Sequence, residues 1–197
     1  MTNRKSVLLL ASIALLAACA GPSLAELAVG QAAPPFELTS VDGEQVSLAD
    51  YAGKTVVLEW FNPNCPVSRR HTVAKTMTST EAKHPEVVWL GINSTKASHG
   101  DYLEPAAQKK YMDEHGVDYP VLYDASGDVG RAYGARTTPH MYVIDPAGKL
   151  VYMGAIDDDP SGKGASRNYV DAALTALEQG KAVDPSTTKP YGCSVKY

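Results

Sequence analysis

Cysteine is scarce in this chain of 197 residues: there are three, alongside two tryptophans and two phenylalanines. So few cysteines exclude a disulfide-dense miniprotein. Long apolar runs are missing as well. The longest, over residues 6–18, spans about thirteen residues, short of the roughly 20 that a membrane-spanning helix needs. Nor is there an excess of positive charge. Eighteen Lys and Arg stand against 22 Asp and Glu, a formal charge of -4, which gives no electrostatic ground for nucleic-acid binding. His71, His84, His99, His115 and His140 show no ligand spacing among themselves or with the cysteines, so no metal and no cofactor is expected. The stretch SGKG at 161–164 lacks the earlier glycine and the following Ser or Thr of a phosphate loop and reads as a flexible loop. Asp157, Asp158 and Asp159 read as a solvated acidic turn. No internal repeat is present.

What the chain does contain is an ordinary globular composition, 44% hydrophobic and 20% charged, on a length that suits one domain plus an export signal. The basic start MTNRK followed by the short apolar run reads as a signal peptide at residues 1–18. It closes on LAAC at 16–19, which resembles a bacterial lipobox and makes Cys19 the candidate lipidated N-terminus. Cleavage after Ala25 is the competing reading and would release a soluble protein. Either route places the chain outside the cytoplasm, in the periplasm, with a lipid anchor as its membrane contact in the first case. Residues 19–33 read as a tether, 34–182 as the folded domain, and 183–197 as a C-terminal tail.

Within the domain, apolar stretches at 36–38, 55–61, 87–92, 120–123, 141–144 and 150–153 are the candidate strands. TVVLEWF at 55–61 and VVWLGI at 87–92 are nearly continuous, as central strands covered on both faces are. DPAGKL between the last two has the composition of a hairpin turn, so the sheet is expected to be mixed. Helices are expected over 66–83, 104–115 and 168–179, with a short one over 127–134. Loops are expected at 94–101 and 157–168. Trp60 and Trp89 read as core, and His140 as an outward-facing strand residue.

With Cys19 assigned to the leader, Cys65 and Cys193 remain, in a compartment where spare thiols are a liability. Cys65 lies in WFNPNCPVS at residues 60–68, where an apolar strand gives way to turn residues and then to a helix with Pro66 at its first position. Free backbone N–H groups and the positive end of the helix dipole favour an anion there, which marks Cys65 as a thiolate nucleophile. Arg69 lies one turn along the same helical face, where its guanidinium could add to that stabilisation; Arg70 points elsewhere.

From here the chain resembles the redoxin branch of the thioredoxin-like superfamily, the branch of the alkyl hydroperoxide reductase C and thiol-specific antioxidant proteins and of periplasmic thiol-disulfide proteins. The resemblance spans most of 34–180. It rests on VVLEWFNPNCP at 56–66, YGARTTPHMYVID at 133–145 and GKLVYMGAID at 148–157. It implies an α/β thioredoxin-like fold, a central mixed sheet flanked by helices. It also implies a cis Thr138–Pro139 bond that brings backbone close to Cys65 and shapes a substrate cleft. The departures are specific. Ser68 stands where thioredoxins carry a second cysteine, so no local disulfide can form. Leu58 and Asn62 stand where peroxiredoxins carry a proline and a hydroxyl residue, and their active-site arginine has no counterpart beyond the nearby Arg136.

Cys193, in the tail YGCSVKY beyond Pro185 and Pro190, is expected on a segment mobile enough to swing onto the domain and resolve a sulfenate or mixed disulfide at Cys65. A static bridge to Cys65, or an unrelated role, are the alternatives for it. The resemblance thus implies a thiol-dependent oxidoreductase with Cys65 as nucleophile, acting by thiol-disulfide exchange or by peroxide reduction. Its partners would be a protein thiol, disulfide or peroxide and an external thiol reductant. The competing class is a non-catalytic lipoprotein of the same fold that binds client thiols or a metal ion.

Overall fold

The computed structural model describes residues 26–197. The leader, Cys19 and the alternative cut after Ala25 lie outside them. Chain order is β1 (Glu37–Ser40), β2 (Gln45–Ser47), a 3-10 turn (Leu48–Tyr51), β3 (Val56–Trp60), α1 (Pro66–Val73), α2 (Thr76–Lys83), β4 (Val88–Asn93) and α3 (Pro105–His115). Then follow β5 (Val121–Tyr123), α4 (Asp128–Tyr133), β6 (Thr137–Thr138), β7 (Met141–Ile144), β8 (Leu150–Gly154), α5 (Tyr169–Glu178) and β9 (Cys193–Ser194).

Seven strands form one sheet in the order β2-β1-β5-β4-β3-β7-β8, and β6 and β9 form a separate pair. The sheet is mixed, as its sequence suggests: β3, β4 and β5 run parallel, while β7 runs antiparallel to β3 and to β8. The β7–β8 hairpin is closed by Asp145, whose carboxylate accepts the amides of Ala147 and Lys149, with Gly148 in the left-handed region at φ 75. Because β3 and β4 are covered on both faces, their apolar runs split between two cores. Val57, Phe61 and Trp89 pack on one side with Met77, Tyr119 and Val170. Leu58, Trp60 and Leu90 pack on the other with Phe36, Tyr133 and Tyr142.

Two expectations change. The helix expected over 66–83 is two helices, because Lys75 takes a left-handed φ of 55 between them. The run Thr72-Val73 ahead of it is β-branched, and Thr72 turns its hydroxyl back onto the Ser68 carbonyl, a bond that bends helices. The tail is not a free arm. Ser186 and Thr188 bond to both backbone groups of Met153 on the edge strand β8. The Thr188 hydroxyl engages Ala155 and Tyr152, and the Tyr197 hydroxyl donates to the Ala135 carbonyl while Arg131 lies 4.8 Å from its ring. Backbone pairing to β8 and side-chain hydroxyls together dock this segment.

Candidate active site

The strand β3 ends at Trp60, and a turn delivers Cys65 to the start of α1. The Asn62 carboxamide oxygen accepts the Asn64 amide at 2.7 Å and its nitrogen donates to Thr95 at 2.8 Å, while the Cys65 amide bonds back to the Asn62 carbonyl at 3.1 Å. Cys65 is the N-cap residue, with extended backbone and Pro66 behind it. Its side chain is 3% exposed, and its thiol donates to the Thr138 carbonyl at 3.0 Å. The Thr138–Pro139 bond is cis.

Cys193 is brought to the same point by β9, which pairs antiparallel with β6 so that Cys193 stands opposite Thr138. Both cysteines are free thiols. Burial on its own would raise the Cys65 thiol. The Cys193 thiol and the Thr138 side chain as donors, helped by the Ser68 and Cys193 amides, outweigh it, and the Cys65 thiol titrates below its ordinary value. Cys193 moves the other way. Burial comes first, then the hydrogen bond to Cys65 and its charge, against a smaller opposing pull from the Val67 amide. The two thiols are thus shifted in opposite directions, Cys65 down and Cys193 up.

The other expected residues fall into place unevenly. Arg69 is exposed, its guanidinium carbon 5.9 Å from the Tyr111 ring, and the groups that favour the Cys65 thiolate are the thiol, side-chain and backbone donors above. Arg70 crosses to the 157–168 loop and bonds the carbonyls of Asp159 and Pro160 at 2.8 and 3.2 Å. Arg136 pairs with Glu26 at the surface. Leu58 is core, and Ser68 is 1% exposed with a hydroxyl that finds no partner. Among the described residues no group of three or more His, Cys, Asp or Glu side chains is placed to hold a metal ion.

Three further readings of the sequence are corrected. His140 faces inward: it is 5% exposed, its Nδ1 lies 2.9 Å from the Tyr142 hydroxyl, and burial drops its pKa to about 3. It lines a cavity of about 380 Å³ together with Arg136, Lys189 and Pro190. Asp157 and Asp159 are buried, not solvated. The SGKG segment wraps Asp159, whose carboxylate takes the amides of Ser161, Gly162 and Gly164; these bonds hold it well below the usual carboxylate range.

Sequence reasoning passed over Glu59 altogether. It sits in the middle of β3, 1% exposed, with the Trp89 indole donating at 3.2 Å and the Tyr119 hydroxyl at 2.8 Å. Burial raises its carboxyl to about 7 against the pull of those two donors. The one signal available was a charge inside an otherwise apolar strand.

A thiol at a helix N-terminus, beneath a cis X-Pro turn at the end of a mixed sheet with helices on both faces, defines the class of thioredoxin-fold, thiol-dependent oxidoreductases. Within that class the chain belongs to the AhpC/TSA family, whose sequence model matches residues 29–153. The thiol-disulfide oxidoreductase ResA of Bacillus thuringiensis subsp. konkukian is 23% identical over 128 residues, covering 64% of this chain and 69% of its own. A solved structure of an uncharacterized conserved protein from Geobacillus kaustophilus is 32% identical. It covers 87% of this chain and 93% of its own at a TM-score of 0.79. A hypothetical protein from Sinorhizobium meliloti 1021 is 26% identical over 88% of this chain and 96% of its own, at a TM-score of 0.78.

Proposed function

We propose that this chain is a thiol-disulfide oxidoreductase in which Cys65 and Cys193, far apart in sequence, form the redox couple that thioredoxins build from neighbouring residues. The placing of Cys193 opposite Thr138, whose carbonyl accepts the Cys65 thiol, carries this reading. The Cys65 thiolate attacks a client disulfide and one client thiolate leaves. Cys193 then loses its proton and attacks the Cys65 sulfur. The second client thiolate leaves, and two electrons have passed from the couple to the client. An external thiol reductant reverses these steps and regenerates the dithiol. Once Cys65 is bound in a mixed disulfide its negative charge is gone, which relieves part of what holds Cys193 protonated.

Peroxide reduction is less well supported. Asn62 uses its side chain on Thr95 and Asn64, Arg69 lies against Tyr111 and Arg136 pairs with Glu26, so neither the Asn62 amide nor either of these two arginines is directed at Cys65 to polarise an O–O bond. Export completes the reading: the leader at 1–18 and Cys19 as lipid anchor would set the couple in the periplasm, facing thiols and disulfides of exported proteins.

The test is intact mass of the mature reduced protein after exposure to oxidised glutathione and, separately, to hydrogen peroxide. Exchange predicts a Cys65–Cys193 disulfide from glutathione, a mixed disulfide that persists at Cys65 in Cys193→Ser, and a peroxide rate no greater than a free thiol's. A peroxide rate far above that would make the chain a peroxidase, and no reaction with either oxidant would make it a binding protein.

A further inference from the structure

The two residues immediately before Cys193 are held by polar contacts and by a close backbone approach. Tyr191 sends its hydroxyl to the Asp157 carboxylate and sits 3.1 Å from Nε2 of His71. His71 belongs to α1, the helix that carries Cys65 at its N-terminus, and is buried there with its Nδ1 3.2 Å from the Thr76 hydroxyl. The Arg70 guanidinium lies 5.8 Å from the Tyr191 ring and 3.3 Å from His71 Nε2. Gly192 takes a φ of 142, and a Cβ there would stand 2.1 Å from the Thr138 carbonyl oxygen, the same oxygen that accepts the Cys65 thiol.

We propose that Tyr191 and Gly192 are positioning residues for the exchange between Cys65 and Cys193, an inference that rests on reading those cysteines as one redox couple. The Tyr191 hydroxyl ties the tail to α1 through His71 and to the loop after β8 through Asp157, so the segment that carries Cys193 is fixed to the helix that carries Cys65. Gly192 lets β9 close onto the Thr138 carbonyl, a distance no side chain permits. Together they keep Cys193 within reach of Cys65 in both steps. In the dithiol, the Cys65 thiol rests on the Thr138 carbonyl at 3.0 Å with Cys193 opposite that residue. In the mixed disulfide, the Cys193 sulfur attacks Cys65 and expels the client thiolate, a step whose rate depends on alignment at the ångström scale.

The experiment uses the full mature chain and the variants Tyr191→Phe, Gly192→Ala and Tyr197→Phe. The last also removes one tail hydroxyl, but on the far side of Cys193 from the latch. Two quantities are read: the rate at which a Cys65 mixed disulfide with glutathione closes to Cys65–Cys193, and the pH midpoint of Cys65 alkylation in the reduced protein. Tyr191→Phe and Gly192→Ala are expected to slow closure by about tenfold or more and to raise the alkylation midpoint, while Tyr197→Phe moves neither. Wild-type values for both quantities in both latch variants would overturn the inference, and so would an equal effect from Tyr197→Phe. If the wild type never closes the disulfide, the redox-couple reading fails. The alkylation midpoint then decides alone: a rise in the latch variants keeps the positioning role, and no change removes it.

Discussion

Cys65 is favoured as a thiolate less by an opposing charge than by a ring of weak donors, with a second thiol foremost among them. A donor supplied by a cysteine on the docked tail can be removed without disturbing the helix. Cys193→Ala should therefore raise the pH midpoint of Cys65 alkylation and leave the far-ultraviolet spectrum unchanged. Ser68 makes the complementary case. Its buried hydroxyl is unpaired, so Ser68→Ala removes a desolvation cost and should raise stability by up to about 1 kcal/mol in urea unfolding. At Glu59 the sign of the pH dependence is set by burial. The folded carboxyl titrates near 7 against 4.5 for the free group, so between those values the folded state binds more protons than the unfolded one, and stability falls as pH rises. Wild-type protein should lose on the order of 3 kcal/mol across that window, and Glu59→Gln should flatten the profile. Cys65 was legible in sequence because Pro66 and the turn residues before it announce a helix N-terminus. Glu59 was not, since its partners Trp89 and Tyr119 lie on other elements.

At the scale of elements, the apolar runs identified β3, β4, β7 and β8 directly, because β3, β4 and β7 are buried at nearly every position and β8 at alternate ones. The two-residue strands β6 and β9 have no periodicity to read, and β9 exists only because the tail is docked by tertiary contacts. The most economical of these is Thr188, whose hydroxyl serves the Ala155 amide at 2.9 Å and the Tyr152 hydroxyl at 2.6 Å. Thr188→Val keeps the shape and leaves the Ala155 amide without its acceptor, so a loss of about 1–3 kcal/mol in urea unfolding is expected. The break between α1 and α2 was equally out of reach of helix periodicity, since Thr72 and Lys75 interrupt the backbone without interrupting the pattern.

For the molecule as a whole, redox state and fold stability are linked. A Cys65–Cys193 disulfide would close most of the domain into one loop. For loops of about 100 residues the chain-entropy estimate is roughly 4–5 kcal/mol, an upper value because strain in the bridge subtracts from it. The oxidised protein should therefore unfold at higher urea than the dithiol-treated protein, and by the same linkage the fold holds the disulfide against reduction. Cys193→Ser should unfold at the same urea concentration under both conditions.

The residues that deliver Cys193 also cover the outer edge of β8, where Ser186 and Thr188 occupy both backbone groups of Met153. An uncovered edge of this kind is a template for pairing with other chains. Loss of the tail from Ser186 onward would therefore remove Cys193 and bare this edge in a single event.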